Sequence, residues 1–238
     1  MSRISLADIV PIAPPRNARE RIYLHLRRRL QRCEIGPADR LVDVDIATNF
    51  GTSRMPAREA LLQLVNDGYL VGTSRGFAVP TLTLEEVRDS FEVRKLLEPR
   101  AAALAARDMD QAGRAAITAA AREATAAVEG ENSEKLILSM IDFRAAWLAS
   151  VRNTRLASTI ARFADHVQTV RLATLKDTAT QQIAAEGLDR LCSAFLQRDS
   201  VAVCDRMATH IIVAEHAFFA LDQSSPAARA TETVRCRN

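Results

Sequence analysis

The segment FGTSRMPAREALLQL, from Phe50 to Leu64, decides how the first third of the chain folds. Its apolar residues recur at helical spacing, which predicts a helix that buries one side. Ser53 is a favourable N-cap residue, and Pro56 falls in the first turn, where its missing N–H breaks no helical hydrogen bond. Arg54 and Arg58 are spaced i and i+4, so both project from the same side at the exposed beginning of this helix.

The segments around this helix predict a small domain of three helices and a hairpin. Residues 17–36 hold apolar residues at helical spacing and end at a Gly-Pro pair, and residues 43–51 predict a brief helix stopped by Gly51. Two short β-prone pieces, 69–71 and 77–79, flank a glycine-containing turn, which predicts a hairpin. This is the order of a winged helix-turn-helix, in which the second helix of the motif lies in the major groove of DNA.

The two arginines have two possible roles. An arginine can bind guanine in bidentate fashion or clamp a phosphate. Alternatively, Arg54 and Arg58 are solvated helix charges, one of them paired with Glu59 or Asp45. Residues 1–80 hold twelve arginines and eight acidic residues, so this third carries +4 while the whole chain carries +3. That imbalance and the winged order favour a DNA partner.

The stretch RLVDVDIATNFGTSRMPAREALLQLVNDGYLVGTSRGFAV, residues 40–79, resembles the DNA-binding domain of the GntR superfamily of bacterial transcription regulators. The likeness covers residues 17–80, and the matching positions are Arg40, Leu41, Ala47, Gly51, Ser53, Arg54, Pro56, Arg58, Glu59, Ala60, Leu61, Leu64, Gly68 and Gly76. By this resemblance the helix start contacts DNA and the hairpin tip enters the minor groove. The residues that it implies for DNA binding are Arg40, Ser53, Arg54, Met55, Arg58, Arg75 and Gly76.

Two departures from the family pattern bear on recognition. The short helix carries Asp43-Val44-Asp45 where relatives usually have Glu-Arg-Glu, so an arginine that reaches DNA in the family is missing. The common Pro-Gly turn before Arg40 reads Pro-Ala-Asp here. We therefore expect the same docking on DNA with a different operator preference.

The remaining chain predicts an all-α bundle, which makes the fold class mainly α. Thr83 and Glu86 form a capping-box pattern, and further helices are expected over 110–129, 133–151, 154–176, 180–198 and 200–222. The predicted organisation is a flexible arm at 1–16, a winged domain at 17–80, a helical domain at 83–222 and a disordered tail at 223–238. The stretches LEEVRDSFEVRKLLEPRAAALAA, FRAAWLASVRNTRL and MATHI resemble the FCD effector domain, which implies the FadR subfamily.

Four ionisable residues fall on apolar stripes of these helices, namely Arg94, Arg144, His166 and His210. A charge that faces a bundle interior is costly unless it is paired or binds a ligand. Arg94 is therefore either a ligand contact or half of a salt bridge with Asp142 or Glu98. The two histidines are equally either core residues or ligand contacts.

The FCD resemblance implies a place for a metal, because many such domains hold a divalent ion with an aspartate and three histidines. The corresponding positions here are Met140, Arg144, Gly187 and His210, so one ligand of four remains. We therefore expect no metal or other cofactor. Instead, the Arg144 guanidinium is expected to anchor a small carboxylate or other anionic effector. The predicted effector-binding residues are Arg94, Met140, Arg144, Trp147, His166 and His210.

Composition excludes several other classes. The four cysteines form no C-x-x-C pair, no apolar run is long enough to span a bilayer, and the N-terminus lacks a signal-peptide core, so we expect a cytoplasmic protein with no membrane partner. No glycine-rich phosphate loop or nucleophile–base spacing indicates an enzyme. The predicted function is a homodimeric, ligand-responsive repressor that binds a palindromic operator. The alternatives are a winged module that binds protein and, less favoured, an enzyme built in the bundle.

Overall fold

The computed structural model describes residues 17–32, 34–166, 174–175 and 177–224. The chain divides into two units: the first runs to Leu30 and from Ile35 to Pro80, and the second holds Gln31–Glu34 and the chain from Thr81 onward. The predicted arm at 1–16 lies outside the described residues. So does the predicted tail beyond Ser224, whereas residues 223 and 224 still belong to the last helix.

The first unit has the predicted order of three helices and a hairpin. Its elements are α1 (Ala18–Gln31), α2 (Asp43–Asn49), α3 (Arg54–Asn66), β1 (Val71–Thr73) and β2 (Gly76–Ala78). The side chain of Asn17 caps α1 by accepting a hydrogen bond from the Glu20 N–H at 2.9 Å. The helices enclose a core of Ile22, Leu26, Leu30, Ile46, Ala57, Leu61 and Leu64. Gly51, with φ of +60°, makes the left-handed turn that separates α2 from α3.

The hairpin begins two residues later than predicted. Tyr69 and Leu70 are buried in the core, and their N–H groups donate to the Leu64 carbonyl at the end of α3. The strands pair antiparallel with Thr73 opposite Gly76, and Phe77 exchanges two 2.9 Å backbone hydrogen bonds with Leu41. A Cβ at residue 76 would lie 2.5 Å from the Leu41 carbonyl oxygen, and φ there is +122°, so this position requires glycine.

The second unit is all-helical, as the sequence predicts. Its elements are α4 (Leu84–Asp108), α5 (Gln111–Glu129), α6 (Ser133–Ala149), α7 (Thr154–His166), α8 (Thr178–Leu196) and α9 (Ser200–Ser224). The predicted capping box is present at α4, where the Glu86 N–H donates to the Thr83 hydroxyl and the Thr83 N–H donates to the Glu86 carboxylate. The predicted extension of the fourth of these helices to residue 176 falls mainly on residues outside the described part.

Small residues let these helices approach closely. Ala101, Ala102, Ala105 and Ala106 on α4 have no exposed surface, and they pack with a core that includes Phe91, Ile117, Leu136, Trp147 and Phe195. α4 packs against α9, and α5 packs against α6 and α8. Inward faces of α4, α6, α8 and α9 meet around one small cavity. Within the described part of the chain, no helix is both long and apolar enough to cross a membrane.

Candidate DNA interface and ligand cavity

The start of α3 is exposed where the sequence places the DNA contacts. Ser53 occupies the predicted N-cap position with an extended backbone, although its side chain makes no cap hydrogen bond. Met55 is 64 % exposed, and Arg54 and Arg58 are exposed as well. The opposite side of α3 is buried, so the helix is amphipathic as predicted, with its polar beginning open to a partner.

Arg54 and Arg58 converge on one carboxylate, that of Asp43 at the first position of α2. Nη2 of Arg54 lies 3.3 Å from both carboxylate oxygens, and Nη1 of Arg58 lies 3.5 Å from Oδ2. We call Asp43, Arg54 and Arg58 the surface cluster. The side chain of Asp43 is only 9 % exposed, against 67 % and 57 % for the two arginines. The partners named as alternatives from sequence, Glu59 and Asp45, are not the residues that these arginines contact.

The two arginines determine how Asp43 titrates. Burial by itself would raise the pKa of this carboxyl group, but the hydrogen bond and positive charge of Arg54 oppose that effect. Hydrogen bonds from Arg58 and from the Val44 N–H act in the same direction, so the pKa of Asp43 lies below its ordinary value. Asp43 therefore remains ionised at neutral pH and holds the arginines by charge.

The other predicted DNA contacts lie on the wing and beside it. Arg75 is exposed at the tip of the hairpin, where its N–H donates to the Thr73 hydroxyl at 3.3 Å. Gly76 begins β2, and Arg40 is exposed directly before Leu41, the residue that pairs with β2. Two exposed arginines therefore lie on or beside the wing. Arg75 is at the hairpin tip, and Arg40 directly precedes Leu41, which bridges to β2.

The cavity of the helical unit is lined mainly by apolar side chains. Its volume is about 20 Å³, which is room for about one water molecule. The lining residues are Glu98, Met140, Phe143, Arg144, Trp147, Leu188, Leu191, Met207 and His210. Four of the six predicted effector residues are among them, namely Met140, Arg144, Trp147 and His210. The side chain of His166 lies outside the described residues.

Arg94 does not line the cavity; its guanidinium binds the carboxylate of Glu98, which does. Its Nε donates to Glu98 Oε1 at 2.5 Å, and its guanidinium lies 5.3 Å from the Phe91 ring centroid. Nη1 of Arg144 approaches the same carboxylate oxygen at 3.4 Å. We call Glu98, Arg94 and Arg144 the buried cluster, since their side chains are 1 %, 4 % and 12 % exposed. Of the two salt-bridge partners considered for Arg94, the structure has Glu98, whereas Asp142 is exposed.

The sequence names Glu98 as one of two partners considered for Arg94, and the structure confirms that ion pair. It does not predict the contact of Asp43 with the two α3 arginines, nor that of Glu98 with Arg144. The i, i+4 spacing of residues 94 and 98 is the signal for the confirmed pair. The contact between Glu98 and Arg144 spans 46 residues of sequence, so helical periodicity could not reveal it.

The metal-binding pattern of FCD domains does not fit the residues present. Met140 and Gly187 supply no hard ligand, and Arg144 brings a cation to the place of a histidine. A Cβ at Gly187 would lie 2.9 Å from Nδ1 of His210, so His210 occupies the space that a side chain there would need. No group of three or more His, Cys, Asp or Glu side chains that could hold a metal occurs in the described residues.

Comparisons with known proteins agree on the two-part organisation. Residues 18–79 match the bacterial regulatory proteins of the gntR family, and residues 89–212 match the FCD domain. The chain is 24 % identical over 211 residues to the HTH-type transcriptional repressor RspR of Escherichia coli K12, which covers 83 % of this chain and 87 % of that protein.

Solved structures show the same fold. The E. coli protein McbR/YncC superposes with a TM-score of 0.75 at 21 % identity and covers 86 % of this chain and 98 % of its own. A GntR transcriptional regulator from Rhodococcus sp. RHA1 reaches a TM-score of 0.69 at 18 % identity, with 85 % and 97 % covered. At these identities the likeness concerns the fold alone.

Proposed function

This chain belongs to the GntR family of transcription regulators that carry an FCD domain, and from that premise we propose that it is a repressor controlled by a small anionic metabolite. It binds a palindromic operator as a homodimer and leaves it, or binds it more tightly, when the metabolite occupies the helical unit. The matched families are transcription regulators and not enzymes. A DNA partner supports a cytoplasmic location for this activity.

The exposed arginines of the winged unit carry the DNA part of the proposal. Arg54, Met55 and Arg58 project from the start of α3, and Arg75 stands at the tip of the wing. In a winged helix-turn-helix these are the places that reach the major groove and the adjacent groove or backbone. Ser53, Arg40 and Gly76 complete the set as backbone-positioning contacts. The exposed part of each arginine suits direct contact with bases and phosphates.

A relative's name supports repression, and the symmetry of operator binding supports a homodimer. RspR, a relative that is similar over most of the chain, is named a repressor. Two copies related by a two-fold axis present two recognition helices, and such a pair matches two half-sites about one helical turn apart. The palindrome in the proposed operator follows from that symmetry.

The cavity of the helical unit carries the effector part of the proposal. Arg144 is the arginine of its lining, and the side chains of Met140, Trp147 and Met207 in the same lining are apolar. A guanidinium binds a carboxylate through two parallel hydrogen bonds, so Arg144 takes the role that a metal plays in many relatives. The cavity must enlarge to admit a metabolite, and the two methionines suit this because their side chains are flexible.

Glu98 determines how an effector can bind to Arg144. Its carboxylate already approaches Arg144, so the effector carboxylate replaces that contact while Arg94 retains Glu98. The exchange keeps every buried charge paired, which a buried site requires. Arg94 therefore supports the site by holding Glu98, and His210 is a further residue of the lining.

The DNA-binding proposal is tested with the full chain and a pool of random duplexes. The protein should select a two-fold symmetric sequence, and its affinity for that duplex should fall steeply with salt because phosphate contacts release counterions. Arg58→Ala should reduce the salt slope by about one. A chain that selects no sequence and shows no salt-dependent binding would be a winged module for protein partners instead.

The effector proposal is tested by a thermal-shift screen of small carboxylic and sugar acids. Trp147 is the single tryptophan and lines the cavity, so its fluorescence provides a second, local readout. An acid that binds should stabilise the wild type but not Arg144→Ala, while Arg100→Ala, a loss of an exposed arginine on α4, should respond as the wild type does. Equal stabilisation of both variants would contradict the anchoring role.

Calorimetry with Zn²⁺ or Ni²⁺ tests the proposal that the effector site uses no metal. The wild type should show no tight stoichiometric binding of either ion that depends on His210, as judged by comparison with His210→Ala. Tight binding that depends on His210 would replace the arginine anchor with a metal site.

A further inference from the structure

We propose that Asp43 is a positioning residue for DNA recognition, which aligns the guanidinium groups of Arg54 and Arg58 before the protein meets its operator. The proposed function names these arginines as DNA contacts but does not say what orients them. The Asp43 carboxylate accepts hydrogen bonds from both arginines: Arg54 donates to both of its oxygens, and Arg58 donates to one of them. Asp43 thereby connects α2 to the exposed start of α3.

Burial makes Asp43 a fixed support. It is the first residue of α2, and only 9 % of its side chain is exposed. More than half of each arginine side chain is exposed, so the parts of the guanidinium groups turned away from Asp43 are accessible. The arrangement holds one side of each arginine and presents the rest.

The distances between the two arginines and Asp43 indicate contacts that orient the guanidinium groups without binding them tightly. At 3.3–3.5 Å they exceed the roughly 2.7–2.9 Å of a tight charge-assisted hydrogen bond. The arginines can therefore lean toward DNA without first breaking a strong ion pair. Reading guanine requires the plane of the guanidinium to match the N7 and O6 acceptors, whereas a phosphate accepts many orientations. Alignment in the free protein thus favours base readout specifically, because fewer rotamers are lost on binding.

Two effects of opposite sign separate this role from a bystander charge. The negative charge of Asp43 near the phosphate backbone weakens sequence-independent binding, so its removal should strengthen that binding. Loss of alignment should weaken sequence-specific binding. Neutralising a positioning residue should therefore lower the ratio of specific to nonspecific affinity. Neutralising an acid with no such role should change both affinities together and leave their ratio unchanged.

Asp45 is a matched control for the charge. It lies on the same short helix, is exposed, and is not the residue that Arg54 and Arg58 contact. Asp45→Asn removes the same charge two residues away and leaves the surface cluster intact. Any difference between Asp43→Asn and Asp45→Asn in the affinity ratio therefore reports the alignment of the arginines.

The experiment uses the full chain, the duplex that the wild type selects from a random pool, and a scrambled duplex of the same composition. For Asp43→Asn the ratio of the two affinities should fall by about tenfold or more, while binding to the scrambled duplex is unchanged or tighter. For Asp45→Asn the ratio should stay that of the wild type. Equal ratios in the two variants, or a higher ratio in Asp43→Asn, would overturn the proposal.

A second comparison shows whether Asp43 acts through an arginine. In an Arg54→Ala background, Asp43→Asn should lower the ratio much less than it does in the wild type, because one of its two partners is gone. An undiminished loss in that background would mean that Asp43 acts by another route. A wild type that selects no sequence would instead refute the DNA-binding function itself.

Thermal unfolding of each variant controls for damage to the fold. If Asp43→Asn is unfolded at the assay temperature, Asp43→Ser replaces it in the test, since serine keeps a polar side chain at the start of α2 without the charge. Asp43→Ser should give a ratio below that of the wild type. A wild-type ratio in Asp43→Ser would then count against alignment by Asp43.

Discussion

Each unit of this protein holds two arginines on a single carboxylate, and the two clusters differ in burial. In the surface cluster the carboxylate is buried and the arginines are exposed, whereas in the buried cluster all three side chains are nearly inaccessible. Exposed ion pairs contribute about 0–1 kcal/mol, because water and salt screen them. Removing one partner of a buried pair leaves an uncompensated charge and costs about 3–5 kcal/mol.

The difference separates what the two clusters can do. The surface cluster contributes little to stability, so its arginines can exchange their carboxylate for DNA at low cost. The buried cluster is part of the fold, so the proposed effector enters by replacing one ion-pair contact with an equivalent one. Under the proposed function, the same chemistry would therefore serve DNA recognition in one unit and controlled access in the other.

The largest effect is expected from Glu98→Gln, which removes the buried carboxylate charge that Arg94 and Arg144 share. The free energy of unfolding of the helical unit should fall by about 3 kcal/mol or more, measured by urea denaturation with Trp147 fluorescence. Glu92→Gln, at an exposed position of α4, should change it by no more than about 0.5 kcal/mol. Similar values for the two variants would remove the distinction between the clusters.

An intermediate effect is expected from Arg54→Ala, and it should appear in binding rather than in stability. The affinity for the selected operator should fall by about 1–3 kcal/mol, and the preference at one base position should relax. The free energy of unfolding should stay within about 1 kcal/mol of the wild type. Arg100→Ala is the control for loss of an exposed arginine, and unchanged operator binding by Arg54→Ala would refute its assignment.

The smallest effect concerns pH. Because the pKa of Asp43 is lower in the folded protein than its ordinary value, the contribution of this carboxylate is present above about pH 4 and is lost as the pH falls through the folded pKa. The stability difference between the wild type and Asp43→Asn should therefore shrink on acidification. Both tyrosines, Tyr23 and Tyr69, belong to the winged unit, so their near-ultraviolet signal follows it.

The pH dependence of the stability difference between the wild type and Asp43→Asn can also contradict an ionic role for Asp43. A difference that stays constant from neutral pH to below pH 4 would mean that Asp43 stabilises by packing alone. The surface cluster would then be a geometric coincidence rather than an ionic one.

Much of the architecture was accessible from sequence because it depends on local order. Helical periodicity, the Gly51 turn and the Thr83 capping box each involve residues within a few positions of one another. The hairpin was predicted two residues early, because Tyr69 and Leu70 are β-prone residues that the core of the winged unit takes instead. Local preference there yielded to burial.

The sequence by itself determined the family, the order of elements and which arginines at the start of α3 are exposed, because these follow from spacing along single helices and from a motif. Only the tertiary structure decided the carboxylate partners. Asp43 meets Arg54 and Arg58 because the Gly51 turn brings α2 against α3, and Glu98 meets Arg144 because α4 and α6 face one cavity. Such pairs are set by the packing of separate helices, and no period in one helix encodes the charge that a neighbouring helix will supply.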